Sequence, residues 1–223
     1  MIVINNLNLT LVLSASDHST TVKKHDPILF GPGISQRERD VITWTSFKSG
    51  NKEAFNFIFN SYVKVLYAYG DKITKDKALV QDCIQDLFID LWRRRESLGE
   101  TDSIKFYLFK SLRRSLLRKL AGEAKFIKKN VSENDYPFAV EFSVEQQLIQ
   151  DQFSQERFQH LSNALEKLSN RQREAIYLKF YQKLSSQEIA DTMGIDITSC
   201  YNLISRAVES LRAGLNPSKN LFF

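Results

Sequence analysis

"SSQEIADTMGIDITSCYNLI", residues 185–204, is the stretch whose reading decides the fold. Ile189, Met193, Ile195, Cys200 and Leu203 recur at helical spacing on both sides of a break, enough to fill a small core between two short helices. Ala190 is small where the helices must cross, and Gly194 stands where the turn needs a positive φ. Asp196 or Thr198 can cap the second helix. These constraints together are those of a helix-turn-helix; a generic helical hairpin is the alternative, and it does not need so many of them to coincide. With the core positions assigned, Thr198, Ser199, Tyr201, Asn202, Ser205 and Arg206 are left to face outward. Such a helix lays its N-terminal end against base edges in the major groove. There Asn202 suits adenine, Arg206 suits guanine or a phosphate, and the hydroxyls adapt to either. Upstream, Arg171, Arg173, Lys179 and Lys183 suit phosphate contacts, which position without carrying sequence information.

Outward from this motif the chain reads as all-α. Apolar residues at Leu148, Phe158, Leu161, Leu165 and Leu168 continue the helical period upstream of it. Residues 122 to about 142 lose that period and mix both charges with Asn, Ser and Pro, the composition of a linker. Before the linker, helical spacing runs from Trp44: a buried stripe of Phe55, Ile58, Phe59, Tyr62, Leu66 and Tyr69, then a helix from about Asp76 to Glu96, then one from about Asp102 to Leu120. Pro27, Gly31, Pro32 and Gly33 forbid a helix earlier. The expected organisation is an irregular tail (1–43), a helical domain (44–121), a flexible linker (122–144), a second small helical domain (145–213) and a short tail (214–223).

The helix "IKFYLFKSLRRSLLRKL", residues 104–120, carries three aromatic and six basic side chains and no acid. At about 100° per residue, Ile104, Leu108, Phe109, Leu112, Leu116 and Leu120 share the core arc. Lys110 and Arg114 lie opposite, Arg113 and Arg118 nearer the edges, and Phe106 and Tyr107 bracket the basic face. Aromatic rings beside Lys and Arg suit single-stranded nucleic acid, since stacking contributes about 1–3 kcal/mol per base. Packing of the two rings beneath the preceding loop "SLGETDS" is the structural alternative.

The helix before it, "LVQDCIQDLFIDLWRRR", is a cleaner amphipath, with Leu79, Val80, Cys83, Ile84, Leu87, Phe88 and Leu91 on one face. Asp82, Asp86 and Asp90 recur every fourth residue on the other, beside Gln85 and Ile89, with Trp92 at the margin. Like charges at that spacing weaken a helix by a few tenths of a kcal/mol per pair. A solvated face is one reading; apolar Ile89 and Trp92 among carboxylates favour a surface that docks on a basic protein partner.

Composition narrows the function classes. A net charge of +5 and a pI near 9.1 suit a polyanionic partner. Cys83 and Cys200 are the only cysteines, fall on apolar helical positions, and read as small buried hydrophobes in a reducing, cytoplasmic protein. The early run "IVINNLNLTLVL" lacks the basic flank and cleavage site of a signal peptide, and no apolar stretch approaches the roughly 18 residues needed for membrane insertion. His18, His25 and His160 are scattered, so no metal is expected at the acidic helix, and no cofactor motif or nucleophile–base pair suggests an enzyme.

In order and spacing, "SGNKEAFNFIFNSYVKVLYAYG", "DCIQDLFIDLW", "SIKFYLFKSLRR" and "LSNRQREAIYLKFYQKLSSQEIADTMGI…SRAVESLR" resemble the extracytoplasmic-function (ECF) class of the sigma-70 family, from about Trp44 to Leu211. The resemblance implies an alternative sigma factor that binds core RNA polymerase and directs promoter recognition and melting. Residues 44–121 would be region two. Its helix with Asp82, Gln85, Asp86, Ile89 and Trp92 would dock on the clamp helices of the largest polymerase subunit. Phe106, Tyr107, Lys110, Arg113 and Arg114, with the loop from Ser97 to Ser103, would hold bases of the non-template minus-ten strand. Residues 145–213 would be region four, reading the minus-thirty-five element, and an anti-sigma factor is a further partner of the class. Arg114 and Arg118 stand where the family usually has Asn and often Asp, which bears on minus-ten preference. The rival from another class is a helix-turn-helix regulator that binds an operator without polymerase.

Overall fold

The structure, a computed structural model, describes residues 2–5, 8–11, 33–126, 136–139 and 160–215. The chain divides into two compact units, residues 1–71 with 75–118, and residues 72–74 with 119–223.

In the first unit, α1 (Gln36–Lys48) starts at a capping box in which Ser35 and Glu38 satisfy each other's backbone N–H groups. Helix formation therefore begins eight residues before Trp44, inside the segment expected to be irregular. The box is the missed signal, because the prolines and glycines that break the chain all precede it. An antiparallel pair of four-residue strands, β1 (Ile2–Asn5) and β2 (Asn8–Leu11), also falls within that segment, pairing Ile2 with Leu11 and Asn5 with Asn8. Asn51 caps α2 (Lys52–Ile73) by accepting from the Ala54 N–H at 2.8 Å. Asp76 caps α3 (Lys77–Arg94), whose last turn tightens into a 3-10 segment, Arg95–Ser97. Helix α4 runs Ile104–Phe126, a turn and a half past the expected end at Leu120, with its residues from 119 onward counted in the second unit.

The helical stripes read from the sequence form this unit's core. All six α2 stripe residues are buried, as are Val80, Cys83, Ile84, Phe88 and Leu91 of α3 and Ile104, Leu108, Phe109, Leu112 and Leu116 of α4. Leu87 and Leu120 are only half-buried. Phe88 meets Phe59 edge-on at 4.8 Å, and Tyr69 meets Phe109 at the same separation, a preferred geometry for aromatic pairs. Helices α2 and α3 come so close that a Cβ on Gly70 would lie 2.6 Å from Val80 Cγ1.

In the second unit, helical residues 160–166 precede α5 (Asn170–Ile176), which a Ser169–Gln172 capping box starts and a wider π turn, Tyr177–Tyr181, extends. Helix α6 (Ser186–Met193) and helix α7 (Ile197–Leu215) complete it. Leu165, Leu168, Ile176 and Ala207 form a core onto which Leu161, Val208 and Leu211 pack. Residues 136–139, expected within the linker, are packed on this unit: Tyr136 and Phe138 are buried, and Phe138 lies 5.7 Å from the Tyr177 ring. Leu148 and Phe158, expected core positions, lie outside the described residues. Apart from the β1–β2 hairpin, the described elements of both units are helical. Among the described residues no helix is long and apolar enough to cross a membrane.

Candidate nucleic-acid and protein-docking interfaces

Helix α4 presents the mixed face that its sequence suggests, with two changes. Lys110 and Arg114 are exposed, and the Lys110 ammonium sits 5.2 Å from the centre of the half-exposed Phe106 ring, a cation–π pair that holds the ring beside a positive charge. Arg113, expected near the edge of the basic face, is instead 7% exposed. It is part of the unit's packing, not of an open surface. Tyr107 is half-buried, and its ring lies against Trp44 at 5.0 Å. Burial raises the Tyr107 hydroxyl above its usual range, and Arg94 and the Ser111 hydroxyl offset part of that rise. Helix α1 thus supports it through Trp44.

Helix α1 also fixes the start of α4. Asp40, 6% exposed, accepts the Ile104 N–H at 2.9 Å and the Gln36 side-chain amide at 2.7 Å. One of the four orphan N–H groups at the α4 N-terminus is therefore satisfied by a carboxylate 64 residues away in the chain. Burial raises the Asp40 carboxyl above the ordinary carboxylate range; the bonds from Ile104 and Gln36 pull it only part of the way back. The loop between α3 and α4 is held to α1 as well, by the Trp44 indole N–H donating to the Gly99 carbonyl at 2.9 Å and by a Lys48–Glu100 ion pair. Sequence periodicity gave none of these roles to Asp40 or Trp44, since contacts across so many residues leave no local signal.

On α3, Asp82, Asp86 and Asp90 are exposed in a row, with Gln85 and Ile89 half-buried beside them. Trp92 is half-buried at the margin of that face. Its ring turns inward to Phe55 at 5.0 Å and Phe47 at 6.3 Å, and Arg95 covers it at 4.7 Å. Two phenylalanines from other helices thus claim a ring that the helical angle alone leaves at the margin. Between α3 and α4 lies an open cleft of about 510 Å³, to which Asp86, Ile89 and Arg94 contribute from one side and Tyr107, Arg114 and Arg118 from the other. The acidic row and the basic-aromatic face are therefore neighbouring surfaces of one unit.

In the second unit the helix-turn-helix has the expected form. The Ser185–Glu188 capping box starts α6, Gly194 closes it at φ 65, and Ala190 is fully buried at the crossing. Asp196 caps α7 by accepting the Ser199 N–H at 2.8 Å, and the Ser199 bonds hold its carboxyl below the usual range. Thr198, Ser199, Tyr201, Asn202, Ser205 and Arg206 are all exposed, while Cys200 is buried and its thiol pushed up by that burial. Arg171 and Arg173 are half-buried, and Arg173 donates to the Asn170 side chain at 2.8 Å. Lys183 is exposed in a left-handed turn, φ 58. Cys83 and Cys200 are both buried free thiols. Among the described residues no group of three or more His, Cys, Asp or Glu is gathered to hold a metal ion.

Comparison with known proteins accords with both units. Residues 58–126 match the family model described as sigma-70 region 2, and residues 158–211 the one described as sigma-70, region 4. Among solved structures, the sigma factor RpoE of Bartonella quintana, in complex with the anti-sigma factor NepR, is similar at 22% identity and a TM-score of 0.53, over 74% of this chain and 98% of that one. CnrH, solved with the cytosolic domain of CnrY, is 20% identical with a TM-score of 0.48, over 80% and 98%. No curated protein matches the sequence.

Proposed function

The chain belongs to the sigma-70 family, and we infer that it is an alternative sigma factor of the ECF class, cytoplasmic and performing no chemistry of its own. It binds core RNA polymerase and directs it to promoters. The observation that carries this reading is the neighbourhood of two unlike surfaces on the first unit, the acid row of α3 and the basic-aromatic face of α4. A lone operator-binding protein has no use for a carboxylate row beside its DNA face, because the row repels phosphate. A protein that must grip polymerase and DNA at once needs both.

In this reading Asp82, Gln85, Asp86 and Ile89 dock on a basic polymerase surface, and Trp92 shapes that helix from within. Phe106, Lys110 and Arg114 receive bases of the non-template strand, with Tyr107 and Arg113 holding α4 in place behind them. Extruding a base costs a few kcal/mol, which stacking on Phe106 at about 1–3 kcal/mol and phosphate pairing with Lys110 and Arg114 offset. The α7 residues Asn202 and Arg206 read duplex DNA, while Thr198, Ser199, Tyr201 and Ser205 complete the contact and Arg171, Arg173 and Lys183 hold the phosphates. An anti-sigma protein is a further partner in this reading, as NepR is for RpoE of B. quintana.

Co-migration with core polymerase tests the docking half. The chain elutes with core enzyme, and Asp82→Ala with Asp86→Ala weakens that association while the double variant's melting curve stays unchanged. An unchanged affinity in the double variant would remove the acid row from the interface.

A further inference from the structure

Arg37, Asp40, Trp44 and Lys48 lie on one stripe of α1, within an arc of about 80° at about 100° per residue. Each of them holds a point between Gly99 and Ile104, the stretch that leads into α4. Arg37 pairs with Asp102 at 2.6 Å, Asp40 accepts the Ile104 N–H, the Trp44 indole N–H donates to the Gly99 carbonyl, and Lys48 pairs with Glu100. The Trp44 ring continues onto Tyr107 at 5.0 Å, in the first turn of α4. The Arg37–Asp102 pair is largely exposed and adds little. Trp44 has no exposed surface, and the Lys48 side chain is half-buried.

What this stripe secures is the place where Phe106 sits. Phe106 is the third residue of α4, and its N–H donates to the Ser103 hydroxyl at 3.3 Å. The first turn of a helix lacks intrahelical partners for its N–H groups, and helix ends open most easily. A ring that must accept a base from a single strand gains affinity when it is held before the base arrives, because ordering a side chain or loop on binding subtracts from the interaction.

Resting on the sigma-factor reading, we propose that Trp44 and Lys48 are positioning residues for base capture. They act through Gly99, Glu100 and Tyr107, not on DNA. Through those three they hold the loop and the first turn of α4 in the form that presents the Phe106 ring to the non-template strand.

Binding of holoenzyme, assembled from core polymerase and the full chain, to a forked promoter with a single-stranded minus-ten non-template strand reads this out. Trp44→Phe with Lys48→Met keeps an aromatic ring at position 44 and removes the indole N–H and the ammonium. Affinity for the forked promoter falls about three- to tenfold, the range for one net hydrogen bond and one partly exposed ion pair, while affinity for core polymerase is unchanged. In a Phe106→Ala background the same two substitutions change binding by less than about twofold, because the ring they position is gone. Equal loss in both backgrounds would make the stripe a matter of folding only and overturn the inference, as would no loss in either. Should Trp44→Phe fail to fold, Lys48→Glu alone must weaken binding about threefold, and Lys48→Glu with Glu100→Lys must restore it; lack of either effect overturns the inference too. Wild-type holoenzyme that binds the forked promoter no better than core enzyme alone would overturn the sigma-factor reading instead.

Discussion

Asp40→Ala removes the acceptor that α1 supplies to the first turn of α4. The lost bond is charge-assisted and 2.9 Å long, in a setting where the Ile104 N–H has no other helix partner. Capping substitutions of this kind cost about 0.5–2 kcal/mol. The upper half of that range applies because the donor is left buried, reduced somewhat because the carboxylate is itself penalised by burial. The expected loss is therefore about 1–1.5 kcal/mol, which moves a urea midpoint down by roughly 0.5–1 M. The measurement is selective, since the chain's two tryptophans, Trp44 and Trp92, both lie in the first unit and report its unfolding alone by fluorescence. Asp40→Asn keeps an acceptor and loses less. It also isolates the pH effect. A carboxyl whose folded pKa lies above its unfolded value binds more protons in the native state, so its contribution falls as pH rises through the folded pKa. Wild-type protein should lose stability relative to Asp40→Asn over that acid range, with the difference fully developed above it. An alanine variant within about 0.3 kcal/mol of wild type would refute the capping role.

The remaining predictions concern the elements that face DNA in this account. Gly194→Ala forces an L side chain to φ 65 and should cost about 1 kcal/mol, seen as faster hydrogen exchange in α6 and α7; unchanged exchange would mean that the turn tolerates a side chain. Asn202→Ala should weaken binding to the preferred duplex by about 1–3 kcal/mol and relax specificity at one base pair, measured by competition among single-base variants. A uniform loss across all variants would make Asn202 a phosphate contact. Phe106→Ala should slow strand opening by roughly tenfold, equivalent to about 1.4 kcal/mol within the range for one lost stack, with core polymerase affinity unchanged. Equal loss of both would assign the ring to the fold.

What could be read from the sequence was what is local. The helix-turn-helix is written within twenty consecutive residues, and Gly194, Ala190 and the outward set on α7 stand as their spacing requires. The core stripes of α2, α3 and α4 follow from periodicity in the same way. What the sequence did not show is what is supplied from far along the chain. Trp92 sits at the edge of its helical wheel, and Phe47 and Phe55 draw it inward. Arg113 lies at an equally ambiguous angle and is buried. Asp40 carries no motif that points to Ile104. Tyr136 and Phe138 stand in a polar, aperiodic stretch, where two aromatics make no pattern until Glu174 and Tyr177 are placed beside them.

Promoter melting by reconstituted polymerase tests the central claim most directly. Permanganate reactivity of thymines in the minus-ten region is followed with core enzyme alone, this protein alone, and the two together. The account predicts reactivity only for the combination, lost when the minus-thirty-five element is scrambled. Reactivity no greater with the pair than with core enzyme alone would contradict it.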